Sequence, residues 1–353
     1  RPSAIAASSI ADALRQIPAD EIKAVEVITS PSARFDAEGT SGVINIVTKK
    51  NNLQGMTLNV NSGAGLRGSN LGLQGSARKG KMGFSLGGFG RSGYNILGSF
   101  ENKQVTNLAN GSVSTSQQSA DTERSEIFGR YNFGVDYEIN DKNFLTSAVN
   151  FGIRNSENWQ YNFLTQNSLN DVLRAQQNRE TNTLDNSNSV DVSLNYTKTF
   201  EKKGKELSFL TLYSNNLRDN SFTNTLFEGN DLETIFSRLK NVNPSKNEEI
   251  TVQVDYVNAL NEKGSQIIEY GAKNILRKAS SDFSYFLAQG ANGPFVALPD
   301  PTLSNEFSYD QNVTAAYFSY TFQMLKNYTL KPGLRYEYTT INADFKTDFK
   351  AEI

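Results

Sequence analysis

The residues able to do chemistry are bounded first by two absences. The 353-residue chain has no histidine and no cysteine. Without imidazole there is no Ser-His-Asp triad, and without imidazole or thiolate the usual zinc donor sets are gone. Ser32, within Ser30-Pro31-Ser32-Ala33-Arg34-Phe35, would need a lysine or carboxylate to become a nucleophile. A turn serine that hydrogen-bonds backbone explains it more simply. Asp36 with Glu38, and Glu228 with Asp231, are carboxylate pairs. Calcium needs several oxygens from clustered loops, and no EF-hand spacing is present. Gly63-Ala64-Gly65-Leu66-Arg67-Gly68 spells G-x-G-x-x-G, but a dinucleotide site needs a helix after it. Strand-like sequence follows instead, so this reads as a glycine-rich hairpin. No catalytic residue, metal site or cofactor is expected, and the chain is not expected to be an enzyme.

The elements that would position these residues are mostly strands. Net charge is −2, which argues against a nucleic-acid partner. Mean hydropathy is −0.49, and no run approaches the roughly 18 apolar residues of a membrane helix. Transmembrane strands escape that test, because only alternate residues face lipid. The alternation is present. Tyr131, Phe133, Val135, Tyr137 and Ile139 interleave with polar or small residues. So do Val190–Tyr196, Ile250–Tyr256, Ala316–Phe322 and Leu334–Tyr338. Period two gives one apolar and one polar face.

Short polar turns around Gly80, Asp141, Lys203, Lys263 and Lys326 recur about 60 residues apart. Between the last four pairs lie polar segments, 102–120, 165–186, 229–247 and 289–305. Tight turns alternating with long loops suit an outer-membrane barrel rather than a soluble sandwich. About eleven strands follow Gly55. An odd number with open edges predicts further strands outside this chain. Phe144, Phe200, Phe209, Phe322 and Tyr328, near the turns, suggest an interfacial girdle. The glycines of 83–93 suggest curvature or clearance inside the barrel.

The first fifty residues differ. Ser9–Ile17 has helical spacing, Ala24–Thr29 and Val43–Thr48 read as short strands, and Pro31, Gly39 and Gly42 punctuate the loop between them. This α+β piece is too small for its own core.

The stretch Ile22–Lys50, IKAVEVITSPSARFDAEGTSGVINIVTKK, resembles the end of the plug in TonB-dependent outer-membrane receptors. Ile22, Val25, Glu26 and Val27 match the first plug strand, and Pro31 and Ser32 the turn. Phe35 takes the aromatic position. Gly39, Gly42, Val43, Ile44, Asn45, Ile46, Thr48 and Lys49 match the closing strand. Thr29-Ser30 replaces the frequent Arg-Gly, and Asp36 replaces a usual glycine, as in a SPSARFDAEG-type subgroup. The resemblance implies an all-β, antiparallel, up-and-down transmembrane barrel with a small α+β plug remnant. Residues 1–52 would end the plug and 53–353 would form the first half of a barrel of roughly 22 strands.

The resemblance also implies residence in the outer membrane of a Gram-negative bacterium and energised uptake of a siderophore, glycan or peptide. Its partners would be outer-membrane lipid, an energy-coupling inner-membrane complex reached through a segment upstream of Arg1, and a surface lipoprotein. Ser32, Arg34, Phe35, Asp36 and Glu38 are the expected ligand-facing plug residues. Glu26, Pro31, Gly39, Gly42 and Asn45 are expected to be structural. The alternative is a scaffold barrel in an outer-membrane assembly, without active transport.

Overall fold

The computed structural model describes residues 22–28, 33, 43–48, 54–229, 233–262, 264–298, 304–325 and 328–345. It contains strands β1 (Ile22–Ile28), β2 (Val43–Thr48), β3 (Gly55–Gly65), β4 (Gly68–Lys79), β5 (Met82–Asn107), β6 (Val113–Asn140), β7 (Asn143–Leu169) and β8 (Val172–Thr199). β9 (Lys205–Phe227), β10 (Ile235–Ala259), β11 (Gln266–Gln289), β12 (Val296–Ala297), β13 (Asn305–Leu325), β14 (Tyr328–Leu330) and β15 (Gly333–Phe345) follow. The expected helix at 9–17 lies outside the described residues.

β1 and β2 form an antiparallel pair, with Glu26 opposite Asn45. All later strands join one antiparallel sheet in which sequence neighbours are spatial neighbours. β12 is a short flap on β11. β14 and β15 both pair with β13. The amide of Tyr320 donates to the carbonyl of Pro332 between them, at 3.0 Å. The two pieces therefore act as one strand, broken where Pro332 has no N–H to give. The sheet is eleven strands wide, as the alternation predicts.

The faces invert the soluble-protein rule. Along β10, Thr251, Gln253 and Asp255 are 2, 3 and 6% exposed, while Val252 and Val254 are 37 and 40% exposed. The ladder carries this across the sheet. Val254 lies opposite Phe209 and Ala272, Phe209 opposite Tyr196, Tyr196 opposite Leu145, and Leu145 opposite Tyr137. The other face places Gln253 opposite Leu210 and Lys273, and Leu210 opposite Asn195. Polar groups turned inward against each other and apolar groups turned outward are what lipid around a water-lined lumen requires.

Most of three polar segments expected to be loops, 102–120, 165–186 and 229–247, is instead strand, whereas the described part of the fourth, 290–298, is the expected loop and carries only the two-residue β12. β6 and β8 each run 28 residues, about 90 Å of extended chain, where roughly 10 residues cross a membrane. Their Thr, Ser, Asn and Gln continue the ladder. The turns are tight: Asn170 and Asp171 have φ of 49° and 61°, the left-handed pair of a type I′ hairpin. Leu66-Arg67 closes another hairpin, with Gly65 opposite Gly68, as the glycine-rich reading predicts. The outward apolar band adjoins the turns at 80–81, 141–142 and 200–204, marking that end as periplasmic and the long polar extension as extracellular.

The girdle is only partly as expected. Phe200, Phe209 and Phe322 gather with Tyr256, Tyr270 and Tyr320 near the periplasmic end of the lipid face. Phe144, opposite Glu138 and Thr197, shares the polar face, because a one-residue offset in a strand reverses direction.

Candidate lumenal binding surface

The inward face carries two polar belts. The lower belt forms where the alternation of β10, β11, β13 and β15 brings their polar members together. Gln253 Nε2 donates to both oxygens of Asp255 at 2.9 and 3.0 Å, and lies 3.4 Å from Tyr317 Oη. Ser319 Oγ donates to Glu269 at 3.0 Å, and Lys331 pairs with the same carboxylate. Gly271 makes this possible: a Cβ there would sit 2.5 Å from Tyr317 Oη and against the carbonyl of Val254. Similarly, Arg78 reaches across Gly83 to Asp136 at 2.7 Å, where a Cβ would lie 2.6 Å from Asp136 Oδ2. Gly271 thus clears space for a buried tyrosine and Gly83 for an ion pair on the lumenal wall.

Arg335 ties this belt to the N-terminal segment. Its side chain is 9% exposed and its Nε donates to Glu337 at 2.5 Å. The guanidinium lies 5.9 Å from the Tyr317 ring centre. Its Nη1 also donates to the carbonyl of Ala33, 302 residues earlier in sequence, at 3.3 Å. Ala33 is in the middle of the SPSARFDAEG stretch.

The upper belt lies beyond the apolar band, on the extracellular extension. Asp185 accepts two hydrogen bonds from Arg218, at 2.8 and 2.9 Å. The Arg218 guanidinium therefore holds the Asp185 carboxyl below its ordinary range, and Asp185 in turn raises Arg218. Arg277 donates to Glu249 at 2.7 Å and to Gln311 at 3.1 Å. Asp185, Arg218, Glu249 and Arg277 line an open cavity of about 720 Å³, together with Arg154, Asn216 and Tyr309. Arg154 is exposed and makes no hydrogen bond or ion pair among the described residues. Its charge also helps hold the Asp185 carboxyl low, and a guanidinium with its N–H groups unengaged, beside hydroxyls and amides, can bind a carboxylate, a phosphate or a polar sugar surface.

Of the residues singled out by sequence, Glu26 and Asn45 face each other across β1–β2. Pro31, Ser32, Arg34, Phe35, Asp36, Glu38, Gly39 and Gly42 lie outside the described residues, as does Asp231. Among the described residues no cluster of three metal-binding side chains occurs. Sequence reasoning missed both belts. The signal was present: Glu249, Thr251, Gln253 and Asp255 interleave with Ile250, Val252, Val254 and Tyr256. The apolar members identify the sheet, and the polar members are the lumen.

An antiparallel sheet with one apolar and one polar face, together with the family match that follows, defines the class: an outer-membrane β-barrel protein of a Gram-negative bacterium. Residues 198–352 match the model of a family described as outer membrane protein beta-barrel. No curated protein matches the chain.

Proposed function

We propose that the protein is a plugged outer-membrane receptor that imports a scarce nutrient through the lumen, with energy supplied by a TonB-type inner-membrane complex. The observation that carries this reading is the hydrogen bond from Arg335 to the carbonyl of Ala33. It supports a segment of plug-like sequence seated on the lumenal wall, which uptake must displace. The upper belt, with Arg154 and the Asp185–Arg218 and Glu249–Arg277 pairs, offers an extracellular-side surface for a polar or anionic ligand. Glu26, Pro31, Gly39, Gly42 and Asn45 would shape the plug, and Ser32, Arg34, Phe35, Asp36 and Glu38 would meet ligand from its side. A surface lipoprotein would deliver larger glycans or peptides. No chemical step by the protein is required.

The test is uptake by a Gram-negative host of ferric siderophores, oligosaccharides and short peptides. At least one should be lost both when this gene is deleted and when the energising complex is deleted. If none depends on this gene, or if a gene-dependent uptake survives without the complex, energised transport is refuted and a scaffold barrel is the better reading.

A further inference from the structure

The outer surface at the periplasmic rim carries two cations that nothing in the described residues neutralises. Lys198 and Lys205 flank the turn between β8 and β9. Their Nζ atoms lie 5.3 and 4.7 Å from the centre of the Phe200 ring, and Lys205 also lies 5.9 Å from Tyr256. Both lysines are half-buried, so both have given up part of their hydration. Neither has a carboxylate partner among the described residues. The nearby acid Glu201 is taken by Lys142, and Glu206 follows Lys205 on the opposite face of β9.

Their neighbours place them at the edge of the lipid-facing surface. Lys198 lies opposite Leu207, Leu207 opposite Tyr256, and Tyr256 opposite Tyr270. Phe200 and Tyr256 pack edge to face at 6.5 Å, and Tyr256 and Tyr270 lie 5.0 Å apart. Asn258, opposite Lys205, buries its Oδ1 without a donor. Two adjacent unpaired ammonium groups repel one another, and aromatic faces compensate for only part of that. A phosphate diester between them would neutralise both, and its acyl chains would lie on the apolar row above.

We propose that Lys198, Lys205 and the Phe200–Tyr256 aromatic pair form a binding site for an anionic phospholipid headgroup of the periplasmic leaflet. Charge complementarity and continuity with the lipid-facing band single out that occupant. The proposal does not depend on transport.

The test uses the full-length protein in nanodiscs of phosphatidylcholine, with and without phosphatidylglycerol. Phosphatidylglycerol should raise the melting temperature of the wild type but not of the Lys198→Gln/Lys205→Gln variant. Preference for the anionic lipid should fall roughly thirtyfold, about fivefold per lysine. Lys198→Arg/Lys205→Arg should keep the preference, which covers the case where the Gln variant does not fold. Inorganic phosphate added to phosphatidylcholine discs should have no effect. An equal phosphatidylglycerol effect in wild type and Gln variant, no effect in wild type, loss of the preference in the Arg variant, or an equal effect of free phosphate would overturn the proposal.

Discussion

Replacing Val254 with arginine tests the inverted faces most sharply. Val254 is five residues from the end of β10 at Ala259. Five residues at about 3.3 Å each, tilted about 45°, place it about 12 Å above the periplasmic edge. That is close to the middle of an apolar band about 25 Å tall. Val254 is 40% exposed and lies between Phe209 and Ala272, so arginine there would point at acyl chains. The expected cost is about 2–4 kcal/mol, the range for arginine at the midplane of a barrel's lipid face. Asn195 is the control. It is on the polar face, opposite Leu210 and near the same height. Asn195→Arg should cost about 1 kcal/mol or less, because water and neighbouring polar groups solvate the charge. The assay is reversible urea unfolding of the full-length protein from phosphatidylcholine vesicles. Equal costs at the two positions, or a neutral Val254→Arg, would refute the assignment of faces.

Three further outcomes follow from the lumenal wall. Gly271→Ala puts a methyl group within 2.5 Å of Tyr317 Oη and against the Val254 carbonyl; overpacking against backbone should cost about 1–3 kcal/mol in the same assay. The Asp185 carboxyl is held low by Arg218, so its stabilising contribution is present above the ordinary carboxylate range and is lost as pH falls below about 4. Because Arg218 is 54% exposed, Asp185→Asn should cost about 1 kcal/mol or less at pH 7 and less still at pH 3, read by unfolding at both pH values. Arg335→Ala removes the bond to Ala33 and leaves Glu337 without that partner. It should cost about 1–3 kcal/mol and raise ion conductance through the protein in planar bilayers.

Much of the barrel is legible from single strands. The alternation in Ile250–Tyr256 and Leu334–Tyr338 gives the sheet, and the turns at Gly80, Asp141 and Lys203 give its hairpins. The extracellular extension is not legible in this way. There, segments such as 165–186 have polar residues on both faces, so no hydropathy contrast separates strand from loop. The Asn170-Asp171 turn was the local clue. The binding surface depends on register, which sequence alone leaves open. Nothing along the chain brings Asp185 to Arg218 or Ala33 to Arg335; those meetings follow from the register of the ladder and from Ala33 lying against β15.

The central claim is that the plug-like segment sits on the lumenal wall and moves during uptake. A Cβ on Gly333 would lie 3.0 Å from the Ala33 Cβ, slightly closer than the roughly 3.5–4.5 Å of a disulfide. The chain has no other cysteine to interfere. Ala33→Cys with Gly333→Cys, expressed in the outer membrane and left oxidised, should form a crosslink that shifts electrophoretic mobility. It should also block uptake of any nutrient whose import depends on this gene until a reductant is added. Absence of the crosslink, or full uptake with the crosslink in place, would contradict the account.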